Sequence, residues 1–172
     1  MTTKPLLKGS LFITVMIIAA ISVGLILKHP MSTQIRSSPK DKDYQSSLAY
    51  MRKEVQQLNQ HAVGKQIHQN TRLDNVWMNE RDKIITYQLT LLDVTGQDID
   101  RVSDGEKKKI MLGEKQILIS KSKDDVHLAP LFLAGWTIEY VQKTNDGDII
   151  SDITINGADI AQEAFTDSVG NI

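Results

Sequence analysis

Residues 11–27, LFITVMIIAAISVGLIL, run for seventeen positions without a charge, with Lys4 and Lys8 before them and Lys28 after. A helix that spans a bilayer needs about 20 apolar residues, in a range that begins near 17, so the run is long enough once Gly9, Ser10 and the flanking lysines are counted at its ends. The competing reading is a secretory signal, with a basic start, an apolar run and a small-x-small exit at Ala20-Ile21-Ser22. Cleavage there leaves VGLIL as an exposed apolar N-terminus with no evident use. The expectation is therefore an uncleaved transmembrane anchor, or uncleaved signal, over residues 11–28 behind a cytoplasmic head of residues 1–10. Basic residues stand on both sides of the run, so the positive-inside rule gives no clean vote on orientation. A short basic head ahead of a first apolar helix stays in the cytosol, which predicts a single-pass bacterial inner-membrane protein with its C-terminal domain in the periplasm.

The chain beyond the anchor is long enough for one domain. It has 172 residues in all, and the anchor and a polar stretch leave roughly 130 for a single core. Setting aside Lys4, Lys8 and Lys28, the remainder carries 17 basic against 21 acidic residues, a net −4 with no footprint for a nucleic-acid backbone. The absence of cysteine excludes a disulfide framework, thiol catalysis, cysteine-ligated metal and a lipid-acceptor cysteine.

Periodicity orders the rest. Residues 29–43, HPMSTQIRSSPKDKD, hold two prolines and no apolar period and read as a solvated linker. Tyr44, Leu48, Met51, Val55, Leu58 and Ala62 then recur at helical spacing, with Gly64 as the stop. The stripe is short for a coiled coil and suits docking on the chain's own sheet. Two β-rich runs flank Asn79-Glu80-Arg81-Asp82, and in the second Ile85, Tyr87, Leu89 and Leu91 alternate with polar residues, which predicts a hairpin with one wet face. Residues 98–123 are charge-dense, with Val102, Ile110, Leu112, Ile117 and Leu118 spaced as on one helix face. Acids flank the basic triplet Lys107 to Lys109, so it reads as a solvated helix face rather than a lipid contact. A short helix ending at Gly135 precedes a second hairpin, WTIEYVQ and DIISDITI, turned at Asp146-Gly147 and placed among the inner strands. The fold class expected is α+β: helix, hairpin, helices, hairpin, giving a four-stranded, mainly antiparallel sheet packed against helices. The domain occupies residues 44–165, with a tail at 166–172.

Motif by motif, the chemistry is sparse. Ser37-Ser38-Pro39-Lys40 has the S-x-x-K spacing but lies in the linker. Asp152, Thr154, Asn156, Gly157 and Glu163 mimic a calcium loop, but Thr154 is a poor ligand, Asp159 occupies the apolar place and a strand precedes the loop. His29, His61, His68 and His127 form no ligand pattern, although His61 and His68 bracket a helix end. Glu139, Asp146, Asp148 and Asp152 are the acids that acid–base chemistry would use, and a turn and strand face of exposed acids is the commoner meaning. No catalytic, cofactor or metal residue is assigned, and no cofactor is expected.

The segments NTRLDNV, ITYQLTL and LAGWTIEYVQKTNDGDIISDITI, through Thr71, Tyr87, Gly135, Tyr140 and Gly147, loosely resemble the family of small secreted bacterial α+β proteins of the quorum-sensing-regulated virulence factor type. The likeness runs from about Leu58 to Ile155. It implies an exported, non-enzymatic architecture of helix and two hairpins and no site residues. Two functions fit anchor, acidic domain and missing motifs. One is a protein-binding module whose partner is another protein at the outer face of the inner membrane, in an envelope assembly or as a toxin-immunity protein. The other is a domain, periplasmic or secreted, that takes a small apolar ligand or lipid between sheet and helix, or acts as a secreted virulence-associated factor.

Overall fold

The structure, a computed structural model, describes residues 41–162. Helix α1 (Asp41–His61) forms where the apolar stripe predicts it, and Leu48, Met51, Val55 and Leu58 are all buried. Gly64, at φ 78°, ends the turn after it and donates its N–H to Leu73 O at 2.7 Å, handing the chain directly to the sheet. Asn59 adds a second tie, donating to Val76 O at 2.7 Å.

Strands β1 (Gln66–His68), β2 (Thr71–Asn79) and β3 (Ile84–Leu91) come next as an antiparallel meander. A register shift between Leu73 and Asn75 inserts Asp74 as an extra residue. Leu73 and Val76 stand three apart, a spacing that would put them on opposite faces of a regular strand, and the bulge lets both be buried. Helices α2 (Gly96–Asp100) and α3 (Asp104–Lys123) each begin with a reciprocal capping box, Thr95 with Asp98 and Ser103 with Glu106. The single charge-dense helix expected over 98–123 is thus two helices, because Ser103 starts a new one. Helix α4 (Leu128–Leu133) exits through Gly135, at φ 84°. Strands β4 (Thr137–Thr144) and β5 (Ile149–Asn156) form the second hairpin, and residues 157–162 close the described chain as a helical turn, α5.

Two expectations need correction. The sheet is five-stranded and mixed, in the order β1-β2-β3-β4-β5, rather than four-stranded and mainly antiparallel hairpins alone. Both hairpins exist, but β3 and β4 pair in parallel, with Tyr87 opposite Tyr140, because the helices between them form a crossover long enough for a parallel connection. The short strand β1 carries too few residues to show an alternation. Because β4 pairs with both β3 and β5, it is interior, and β5, expected inside, is an edge among the described residues.

The second correction concerns the membrane. Among the described residues no helix is long and apolar enough to cross a bilayer. The anchor expected at 11–28 lies outside the described residues, as do the head, most of the linker with its Ser37–Lys40 motif, and the tail. A single-pass inner-membrane protein with a periplasmic domain therefore has no support in the structure.

One face of the sheet holds the core. Leu73, Val76, Ile85, Tyr87, Leu89, Ile138, Tyr140, Ile153 and Ile155 meet Met51 and Leu58 of α1, Leu118 and Ile119 of α3, Leu131 and Phe132 of α4, and Trp136. A smaller cluster, Leu91 and Val94 with Ile99, Ile110 and Ile150, lies toward the other end. The opposite face bears Trp77, Gln88, Glu139, Val141 and Thr154, with Trp77 41% exposed. Met51 is 1% exposed, so Met51→Ala is expected to lower the unfolding free energy by about 2–5 kcal/mol in urea titration. Leu112→Ala, at a position 59% exposed, is expected to change it by less than about 0.5 kcal/mol.

Candidate binding site

Three places gather side chains of interest. The first lies where α1 and the corner before α4 meet the sheet. Tyr50 stacks on His127 with ring centroids 3.7 Å apart, and Tyr87 stacks on Tyr140 at 5.2 Å. Glu54, one turn beyond Tyr50, is buried, and burial followed by the charge of Asp125 raises its pKa. Burial pushes the phenols of Tyr87 and Tyr140 well up, so both stay protonated and neutral. Asp125 accepts from the N–H groups of His127 at 2.8 Å and Leu128 at 3.2 Å, which starts α4. The rings and acids here join two helices to the sheet, and none forms a nucleophile–base pair.

The second place is under α3. Glu114 is fully buried between Ile110 and Leu118, each one turn away on the helix. Its carboxylate oxygens, the Gln142 amide and the Ser151 hydroxyl are buried without hydrogen-bond partners, and Gln142 and Ser151 are cross-strand partners on β4 and β5. Burial raises the Glu114 pKa to about 7, against a smaller opposing effect of nearby Gln142.

The third is a groove of about 470 Å³ between the first half of α3 and strand β5. Met111, Leu112 and Ile153 supply apolar lining, and Lys107, Lys108, Lys115, Asp104 and Asp152 line it with charge. Lys115 is held by Asp159 at 2.9 Å, and Lys107 reaches Asp104 at 3.9 Å. The groove thus joins the exposed apolar side chain of Leu112 to charged lining of both signs.

The acids singled out in the sequence are dispersed by the fold. Glu139 lies on the outer sheet face and accepts from Thr86 Oγ1 at 3.0 Å. Asp146 accepts the Gly96 N–H at 2.9 Å, and a Cβ on Gly96 would collide with the Asp148 carboxylate, so these two acids dock α2 on the β4–β5 turn. Hydrogen bonds from Thr144 and then from the Gly96 N–H lower the Asp146 pKa. Asp152 is exposed on β5. The calcium-like segment is strand to Asn156, whose Oδ1 accepts from Ala158 and Asp159 N–H groups as a helix cap. His61 and His68 sit on α1 and β1, and no cluster of three or more metal-ligating side chains occurs among the described residues.

Sequence reasoning passed over both Glu114 and the groove. An acid one turn from Ile110 and from Leu118 was the available signal for the first. For the second, Leu112 reads as core and turns out exposed. No protein-family model, curated protein or solved structure matches the chain.

The Glu114 pKa gives a pH dependence of definite sign. The unfolded carboxyl ionises near its ordinary 4.5, whereas the folded one holds its proton until about 7. Between those values the native state binds more protons, so stability is complete below about 4.5, falls as pH rises and levels off above about 7. The total loss attributable to this group is about 3 kcal/mol. Glu114→Gln is expected to remove that component, seen as a smaller difference in urea midpoint between pH 5 and pH 8 than in the parent chain. An equal difference in both proteins would show that Glu114 ionises normally.

Proposed function

We propose that this chain is a non-enzymatic protein-binding module that engages its partner along the α3–β5 groove. The observation that carries the reading is the coincidence of a strand edge that pairs with no other strand among the described residues and an exposed apolar helix flank. β5 ends the sheet, so alternate residues direct backbone N–H and C=O groups away from β4. Leu112, 59% exposed, lies beside that edge. The dispersal of Glu139, Asp146, Asp148 and Asp152 into structural roles or open surface supports a binding role over a hydrolytic one. A small apolar ligand between sheet and helix finds less support, since Met51, Leu73, Ile85, Leu89 and Trp136 fill that layer.

A photo-cross-linking residue at position 112 of the full-length chain in its host tests the reading, with position 133 on α4, also exposed, as the control. The expected outcome is one discrete protein adduct from 112 and none from 133. Once purified, that protein is expected to bind the parent chain at least about tenfold more tightly than the Lys107→Glu/Lys108→Glu variant. Equal labelling from both positions, or equal affinity for both chains, would count against the groove.

A further inference from the structure

The two edges of the sheet are treated differently. β1 has three residues and a register irregularity, both devices that blunt an edge against further pairing. β5 has eight residues, IISDITIN, with no proline, glycine or lysine, and its register with β4 is regular from Ser151 to Asn156. It keeps the length and regularity that a template for another strand requires. Its one charged residue is Asp152.

The surroundings specify what a sixth strand would carry. Side chains of a strand laid on β5 point alternately to the two sheet faces. Those on the α3 side meet Met111 and Leu112, and also Lys108, which has no ion-pair partner among the described residues. Those on the outer face pass Asp152 and Thr154, and Asp152 likewise has no ion-pair partner among the described residues. The groove therefore offers an apolar patch and an uncompensated cation to one face of an incoming strand, and an uncompensated anion to the other.

Resting on the reading of the groove as a protein-binding site, we infer that the partner supplies an extended segment that adds to β5 as a sixth strand. On the α3 side that segment carries a large apolar residue and, two positions away, a carboxylate for Lys108. On the other side it carries a base for Asp152. Backbone hydrogen bonds to β5 hold the segment, and the two charge pairs fix its register.

The probe is a fluorescent ten-residue peptide in which leucine and glutamate occupy one face and threonine and lysine the other. It is titrated into the full-length protein by anisotropy, with amide shifts of residues 149–156 followed by NMR. Saturable binding with shifts confined to β5 and α3 is expected. Methylation of alternate peptide N–H groups is expected to weaken binding at least about tenfold. Lys108→Glu, an exposed change that leaves the core untouched, is expected to weaken it at least about threefold, with recovery on a peptide whose glutamates are replaced by lysine.

The inference is overturned by the absence of saturable binding up to about 1 mM peptide, or by equal binding of the methylated peptide. It is also overturned if sedimentation shows the free chain dimerising through β5, which would assign the edge to a second copy. A discrete adduct at position 112 alongside a failed peptide titration would retire strand addition while leaving the protein-binding reading intact. Failure of both would remove both.

Discussion

The parallel ladder between β3 and β4 holds this domain together. Thr137 N–H donates to Lys83 O at 2.9 Å and Lys83 Nζ donates to Ala134 O at 2.8 Å, so β4 is fixed beside the start of β3. From there the register runs from Ile84 opposite Thr137 to Leu91 opposite Thr144. Without it the described sheet would fall into a three-stranded meander, β1 to β3, and a separate two-stranded hairpin, β4 and β5, that is at best marginally stable alone. With it, Ile85 and Ile138, and Tyr87 and Tyr140, become neighbours at the centre of one continuous face. The stacked tyrosines mark that seam and carry burial from one hairpin into the other.

A parallel pair obliges the chain to cross over, and the crossover contains α2, α3 and α4. Their placement is set by local chemistry. The capping boxes set where α2 and α3 begin, Asp125 starts α4, and Asp146 secures the N-terminus of α2 against the β4–β5 turn. Helix α3 joins both apolar clusters, through Ile110 to the smaller and through Leu118 and Ile119 to the larger, with Glu114 between them. A carboxyl buried in that position costs far less neutral than charged. The same helix forms one wall of the groove, so the seating of α3 and the shape of the candidate binding surface are mechanically one matter.

Much of the local architecture was legible from residue order. The stripe of Leu48, Met51, Val55 and Leu58 marks α1, and Gly64 its end. The alternation from Ile85 to Leu91 marks β3, and Asp146-Gly147 the second turn. Less legible was anything that depended on which strand pairs with which. The alternation in β3 is the same whether its second neighbour runs parallel or antiparallel, and β1 is too short for any alternation to register. The bulge at Asp74 hid the shared face of Leu73 and Val76, because the period of two fails across an inserted residue. Leu112 and Glu114 exchange the burial that their chemistry suggests, since α3 is amphipathic only weakly and its facing partner decides which side is covered.

By itself the sequence determined the stripe of α1 and its stop at Gly64, the alternation of β3 and the Asp146-Gly147 turn, because these depend on neighbours within a few residues, and its composition excluded cysteine chemistry. Only the tertiary structure decided that five strands make one mixed sheet, that β5 is an edge of it among the described residues and that Glu114 is sealed beside Gln142. Those outcomes rest on contacts between residues far apart in the chain, whose free energy depends on the surface two elements bury together and not on the pattern of either one.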